Sequence, residues 1–127
     1  MTQTLLTSWS NAFKGQIYIT GATGMLGSDL VEFFSSHLPS SQIIASDSKR
    51  LDITSYLRVE RELEKVKPAI IVNAAAYTDV DGAEKERDKA YTINADGPAH
   101  LASVAHKIGA KLVHFSTDYV FDGDQSK

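Results

Sequence analysis

The stretch Gln16-Ile17-Tyr18-Ile19-Thr20-Gly21-Ala22-Thr23-Gly24-Met25-Leu26-Gly27 decides the fold. Its first five residues, rich in β-branched and aromatic side chains, read as a strand that ends abruptly at a glycine. From Met25 the apolar period becomes helical, with Leu26, Leu30, Phe33, Phe34 and Leu38 on one broad face until Pro39 stops it. Gly21, Gly24 and Gly27 are spaced G-x-x-G-x-x-G across the turn. Such a turn lets backbone N–H groups approach a pyrophosphate, and the helix N-terminus adds partial positive charge. The bland alternative is a tight βα turn that binds nothing. The strand–turn–helix setting favours the dinucleotide.

Outward from that stretch the alternation repeats. Gln42–Ser46 reads as a second strand closing at Asp47. A charged helix comes after Leu51-Asp52-Ile53-Thr54 and runs to about Val66, with Val59, Leu63 and Val66 inward and Arg58, Arg61, Glu62 and Lys65 on a solvated face. Pro68 breaks the chain. Ala69–Asn73 is apolar on consecutive positions, so both faces of this third strand should be covered. The acidic segment Asp79–Asp88 starts helical, and a longer helix spans about Lys89 to Ile108 with Gly109 after it. Lys111–Phe115 is a fourth strand leading into Ser116-Thr117-Asp118. The order β-α-β-α-β-α-β implies an α/β fold, a Rossmann-like doubly wound parallel sheet with right-handed crossovers. The expected strand order is 3-2-1-4. Strand four would then be an edge, and Leu112–Phe115 contains neither proline nor lysine, so the isolated chain is expected to self-associate there. Residues 1–14 carry Leu5, Trp9 and Phe13 at helical spacing, either a short docking helix or a frayed extension. The expected division is an N-terminal extension, 1–14, and an NAD(P)-binding Rossmann domain, 15–127.

Composition narrows the function. The chain has 127 residues, with 13 Lys and Arg against 16 Asp and Glu, a net charge of −3. A nucleic-acid binder should carry a basic excess instead. The absence of cysteine removes disulfides, thiolate metal sites and a Cys nucleophile, and agrees with a cytoplasmic setting. No apolar run approaches the ~20 residues of a membrane span. His37, His100, His106 and His114 lack metal-ligand spacing with carboxylates.

In a parallel sheet the residues after each strand share the carboxyl edge, where open α/β sheets bind ligands. Asp47 lies 20 residues after Gly27, where an acid accepts from an adenosine ribose; Ser48 shares its turn, and Lys49 and Arg50 would meet a 2′-phosphate. A solvated turn is the alternative. The acid favours NAD(H) and the bases NADP(H), so the sequence leaves both open. Asp52 would bond the adenine amino group with Ile53 against the ring, or Asp52 would cap the next helix. Ala74, Ala75 and Ala76 would let a cofactor pass close over them, or are tight core. Pro98 inside the long helix deprives the Asn94 carbonyl of its partner, so Asn94 would tie the helix to strand four or hold a water.

Gly21-Ala22-Thr23-Gly24-Met25-Leu26-Gly27, Asn73-Ala74-Ala75-Ala76-Tyr77-Thr78, Val80-Asp81-Gly82-Ala83-Glu84, Asn94-Ala95-Asp96-Gly97-Pro98 and Ser116-Thr117-Asp118-Tyr119-Val120-Phe121-Asp122-Gly123 together resemble the extended short-chain dehydrogenase/reductases, most closely the dTDP-4-dehydrorhamnose reductases. The resemblance runs from about Gln16 to Gly123. It implies a reductase that moves hydride from NADP(H), or NAD(H), to C4 of a nucleotide-linked 4-keto-6-deoxyhexose, giving dTDP-L-rhamnose from dTDP-4-dehydro-L-rhamnose. By resemblance, Gly21, Thr23, Gly24, Met25, Leu26 and Gly27 hold the pyrophosphate. Asp47, Ser48 and Lys49 hold the ribose, Asp52 and Ile53 the adenine, and Ala74, Ala75, Ala76, Asn94 and Ser116 line the cofactor channel. Thr117 matches the catalytic hydroxyl, with Asp118 and Tyr119 beside it at the substrate. The partners implied are a nucleotide-sugar and a second copy of the chain, with neither nucleic acid nor membrane. In the family the third position of Val-Asp-x-Ala-Glu usually carries Lys; here it is Gly82.

The family's proton donor is the Tyr of a Tyr-x-x-x-Lys motif, and none of the five tyrosines here has Lys four residues on. The motif is expected beyond Lys127, which makes the chain the N-terminal half of a longer protein and inactive alone. Similar signatures occur in the regulatory subunit of methionine adenosyltransferase, which leaves an NADP-binding protein without reductase activity as the alternative.

Overall fold

The computed structural model describes residues 3–117. Ile17–Thr20 forms β1, and all four of its residues are buried because helices cover both faces of the sheet. In chain order the elements are α1 (Gln3–Ala12), β1, α2 (Met25–Ser35), a 3₁₀ turn (Ser40–Gln42), β2 (Ile43–Ser46), α3 (Tyr56–Val66), β3 (Ile70–Asn73), α4 (Val80–Lys85), α5 (Arg87–Tyr91), a π-helical turn (Thr92–Asp96), α6 (Gly97–Ile108) and β4 (Lys111–His114). All pairings are parallel, and Thr20 lies level with Ser46 on one side and Asn73 on the other.

The doubly wound parallel sheet is as expected, but its order is β2-β1-β3-β4, not 3-2-1-4. The reason lies in the strands themselves. An edge position for β3 would waste its apolar run, and Ile71, Val72 and Asn73 are instead buried between two neighbours. β2, with Ala45 exposed and Ile43 and Ile44 half-buried, takes the edge. β4 lies beside β3, not beside β1. The chain therefore leaves β1 in both directions. Right-handed crossovers of opposite direction put their helices on opposite faces. Ile17, Ile19 and Val72 pack with Leu30, Val31 and Phe34 of α2, while Tyr18 and Ile71 pack with Val59 and Leu63 of α3 and Leu101 and Val104 of α6. The reversal at β1 opens a crevice at the carboxyl ends of β1 and β3.

The expected single helix from Lys89 to Ile108 is interrupted. Pro98 offers no N–H, and the ladder shifts so that Gly97 N–H bonds the Thr92 carbonyl five residues back. Gly97 is pressed on the neighbouring loop, where a Cβ would lie 2.6 Å from Ile53 Cδ1. At the other end of the chain, the docking-helix reading holds. The Trp9 ring stacks on Phe13 at 5.7 Å and sits 6.2 Å from Phe34 of α2.

Tyr18 is a buried phenol whose hydroxyl donates to Glu62 Oε1 at 3.1 Å. Burial pushes it from 10.0 up to about 12. The unfolded chain ionises this group first. Its contribution to stability is thus intact below about pH 10 and is lost as pH rises toward about 12. Tyr18→Phe should remove that part of the alkaline loss in denaturant titrations run at several pH values. A second expectation concerns β4, which has β3 as its one neighbour among the described residues. Val113 and Phe115 are 46% and 43% exposed there. Light scattering should show mass rising with concentration for the 127-residue chain, and Val113→Lys should suppress the rise.

Candidate functional site

Backbone presses on backbone where the glycine turn meets the end of β3. Gly21 has φ +65°, and a Cβ on it would lie 2.5 Å from the Ala75 nitrogen. A Cβ on Gly27 would overlap the Gly21 carbonyl oxygen. Gly24 differs: a Cβ there meets only the Gly21 oxygen, at 3.3 Å. Ala22 N–H donates to Ser46 O at 3.1 Å and Ala74 N–H to Thr20 O at 3.2 Å, tying the loops after β1, β2 and β3. Gly24 caps α2 without a side-chain bond, and Ser28 N–H to Gly24 O is the first bond of the helix. The N–H groups of Met25, Leu26 and Gly27 are left for a ligand at the positive end of the helix.

Asn73 fixes the same edge from below. Its Oδ1 accepts from Thr20 Oγ1 at 2.5 Å and from Ala75 N–H at 3.2 Å. A backbone N–H only donates, so this sets the amide's orientation. Nδ2 must then donate to His114 Nδ1, 3.0 Å away, which leaves the imidazole proton on Nε2.

The crevice is a cleft of about 770 Å³. Gly21, Thr23 and Gly24 form one wall, and Ser48, Leu51, Asp52, Ile53 and Thr54 another. Ala74, Ala75 and Ala76 make the floor, with Lys89, Thr92 and Ile93 opposite. Asp52 Oδ1 accepts from Thr54 Oγ1 at 2.6 Å and Thr54 N–H at 3.0 Å, and the Thr54 hydroxyl holds the carboxyl below its usual range. Asp52 therefore stiffens its own turn, and the N-cap of α3 is Ser55. A second cleft of about 430 Å³ shares Thr23 and adds Ser28, Glu32, Asp47 and Arg50. A third, of about 740 Å³, includes Tyr77, Tyr91, Asn94 and Thr117.

Residues 15–127 match the family described as the RmlD substrate binding domain. The chain belongs to the RmlD family. The dTDP-4-dehydrorhamnose reductase of Mycobacterium tuberculosis is 45% identical over 109 residues, covering 86% of this chain and 34% of that protein. The crystal structure of dTDP-4-dehydrorhamnose reductase from Bacillus anthracis in complex with NADP superposes with a TM-score of 0.79 at 47% identity, covering 92% of this chain and 41% of that one. The orthologue from Clostridium acetobutylicum gives 0.80 at 42% identity, covering 88% and 39%. The chain spans about a third of the length of the first of these relatives and two-fifths of the two structures. The resemblance read from the motifs holds.

Within this RmlD-family fold, the main cleft gathers Gly21, Thr23, Gly24, Ser48, Asp52, Ile53 and Ala74–Ala76. Met25, 88% exposed, and Leu26 do not line it, and Gly27 is buried beneath the turn. Asp47 faces the second cleft, its Oδ1 accepting from Lys49 N–H at 3.1 Å and Arg50 N–H at 3.0 Å. Lys49 and Ser116 are exposed and line none of these clefts. Thr117 lines the third cleft; Asp118 and Tyr119 lie outside the described residues. Asn94 requires a correction. Its Oδ1 accepts from Tyr77 N–H at 2.8 Å and its Nδ2 donates to Tyr77 O at 3.1 Å. Both ends of the amide are engaged, so Asn94 positions the loop after β3. The amide ties the helix to that loop and not to strand four, and Asn94 lines the third cleft rather than the main one.

Leu51, Thr54, Lys89, Thr92 and Ile93 are not legible as cleft residues in the sequence. The first two belong to the Asp52 turn. The other three turn inward because the π segment changes the helix phase, a shift that only Pro98 announces. Lys89 brings a cation to the cleft, 3.4 Å from Glu86 and 5.4 Å from the Tyr77 ring centre. Among the described residues no three His, Asp or Glu side chains group as metal ligands, and no helix is long and apolar enough to cross a membrane.

The glycines give a clean experiment. Gly27→Ala should abolish the cooperative thermal transition. Gly24→Val should keep a cooperative transition, lowered by about 1 kcal/mol as a poorer N-cap, and lose dinucleotide binding. Unchanged NADPH affinity in Gly24→Val would make the turn purely structural.

Proposed function

We propose that this chain is the NADPH-binding part of a cytoplasmic dTDP-4-dehydrorhamnose reductase, reducing the 4-keto group of dTDP-4-dehydro-L-rhamnose to give dTDP-L-rhamnose. The observation that carries the reading is the cleft at the chain reversal, where three unpartnered α2 N–H groups overlook a glycine turn. A side chain at Gly24 would occupy that space, and the alanine floor leaves it low. The M. tuberculosis relative bears the reductase name, and the B. anthracis structure contains NADP.

In this proposal the N–H groups of Met25, Leu26 and Gly27 neutralise the pyrophosphate. Asp47 accepts from the adenosine ribose, and Asp52 and Ile53 meet the adenine. Ala74–Ala76 let the dinucleotide lie against the sheet, and Ser116 stands at the far end of the channel. When bound, NADPH supplies the hydride. Thr117 donates a hydrogen bond to the substrate carbonyl, with Asp118 and Tyr119 at the pocket wall. Residues 1–14 are an N-terminal extension, and 15–127 are the NAD(P)-binding Rossmann domain. The whole protein is a homodimer, acts on a nucleotide-sugar, and binds neither nucleic acid nor membrane. NAD(H) is the alternative cofactor.

None of the tyrosines of this sequence carries the Tyr-x-x-x-Lys arrangement. A positioned general acid contributes roughly 10²–10⁴-fold. The purified 127-residue chain should bind NADPH in a fluorescence titration and should not oxidise it when dTDP-4-dehydro-L-rhamnose is added. Steady turnover would overturn the assignment of the proton donor outside this sequence. Absence of NADPH and NADH binding would overturn the cofactor reading.

A further inference from the structure

The turn after β2 holds a guanidinium under restraint. Arg50 is half-exposed, and its Nε and Nη2 both lie 3.2 Å from one oxygen, Glu62 Oε1 of α3. The same oxygen accepts the Tyr18 hydroxyl of β1 at 3.1 Å. The Arg50 carbon Cζ stands 5.8 Å from the Tyr18 ring centre. One carboxylate oxygen thus gathers three donors from a strand and a loop, and Glu62 is held in place by a residue of the core.

Arg50 shares its cleft with two acids, Asp47 and Glu32. Asp47 has one oxygen engaged by backbone N–H groups, which leaves Oδ2 to accept from a ribose hydroxyl. That arrangement suits a free 2′-hydroxyl and repels a 2′-phosphate. Of the two basic residues of this turn only Arg50 lines the cleft, so a dianion there depends on Arg50, whose charge Glu62 offsets. We infer that Glu62 is a positioning residue for cofactor choice: by holding Arg50 it limits the preference of this site for a dinucleotide carrying a 2′-phosphate over one without. This rests on the dinucleotide reading of the cleft and specifies its selectivity.

Glu62→Gln keeps an oxygen for Tyr18 and Arg50 and removes the charge. Calorimetry with NADP⁺ and NAD⁺, which differ only by the 2′-phosphate, tests the inference on the full chain, with thermal melts confirming that each variant is folded. Glu62→Gln should raise the NADP⁺ over NAD⁺ affinity ratio by about two- to fivefold, the scale of one partly exposed ion pair. In an Arg50→Ala background the same substitution should leave the ratio unmoved, because the effect passes through the guanidinium. An unchanged or lowered ratio in Glu62→Gln overturns the inference. So does an equal shift without Arg50, which would assign the effect to the loss of any nearby negative charge. Failure of the parent chain to bind either dinucleotide overturns the cofactor reading and this inference with it. Binding of both with a ratio that Glu62 does not move overturns this inference alone.

Discussion

The contact between the Gly27 backbone and the Gly21 carbonyl governs the rest of the molecule. It permits α2 to begin directly over the end of β1, with no side chain between them. Gly21 in turn lies against the Ala74–Ala75 backbone, so the loops after two adjacent strands touch main chain to main chain. A helix placed this low begins, with its first N–H groups unpaired, beside the end of β1, the kind of position from which a helix N-terminus can meet an anion. The three glycines divide the labour: two make the approach sterically possible, and Gly24 keeps the space above it open.

The second determinant is the reversal at β1. Because β2 and β3 flank it, α2 and α3 lie on opposite faces, and the loops beyond them diverge. The turn after β2 becomes one bank and the alanines after β3 become the floor. Asn73 secures this edge by joining β1, the turn after β3 and β4 through one amide. Each of its bonds is buried or half-buried, so removing the amide would leave several polar groups without partners at once.

Much of this is legible in the residues. The parallel sheet follows from alternating strands and helices, and the cleft from the glycine spacing with small residues after β3. The strand order is not, since the loops from Asp47 to Ser55 and from Asn73 to Asp79 carry no mark of direction. Ile43-Ile44-Ala45 and Ile70-Ile71-Val72 are both apolar on consecutive positions, and only the folded chain buries the second between two strands and leaves the first half-exposed. Asn94 misleads for another reason. The sequence sets its side chain beside its own freed carbonyl, whereas the folded amide reaches across to the backbone of Tyr77. Such pairings depend on which loop the fold brings near. The Glu62–Arg50–Tyr18 cluster draws on three separate elements and is equally invisible in the sequence.

The π-helical turn at Thr92–Asp96 divides one helical rod into two reading frames. A single extra residue in the ladder rotates the upstream turns by about 100° relative to the downstream ones. Downstream, Leu101, Val104 and Ala105 remain seated in the core. Upstream, Lys89 and Thr92 swing onto the cleft wall. The seating of α6 in the core thus does not fix which side chains of the upstream turns look into the crevice. Insertion or loss of one residue here acts as a rotary dial, changing the chemistry of the cleft wall while the hydrophobic interior stays in register.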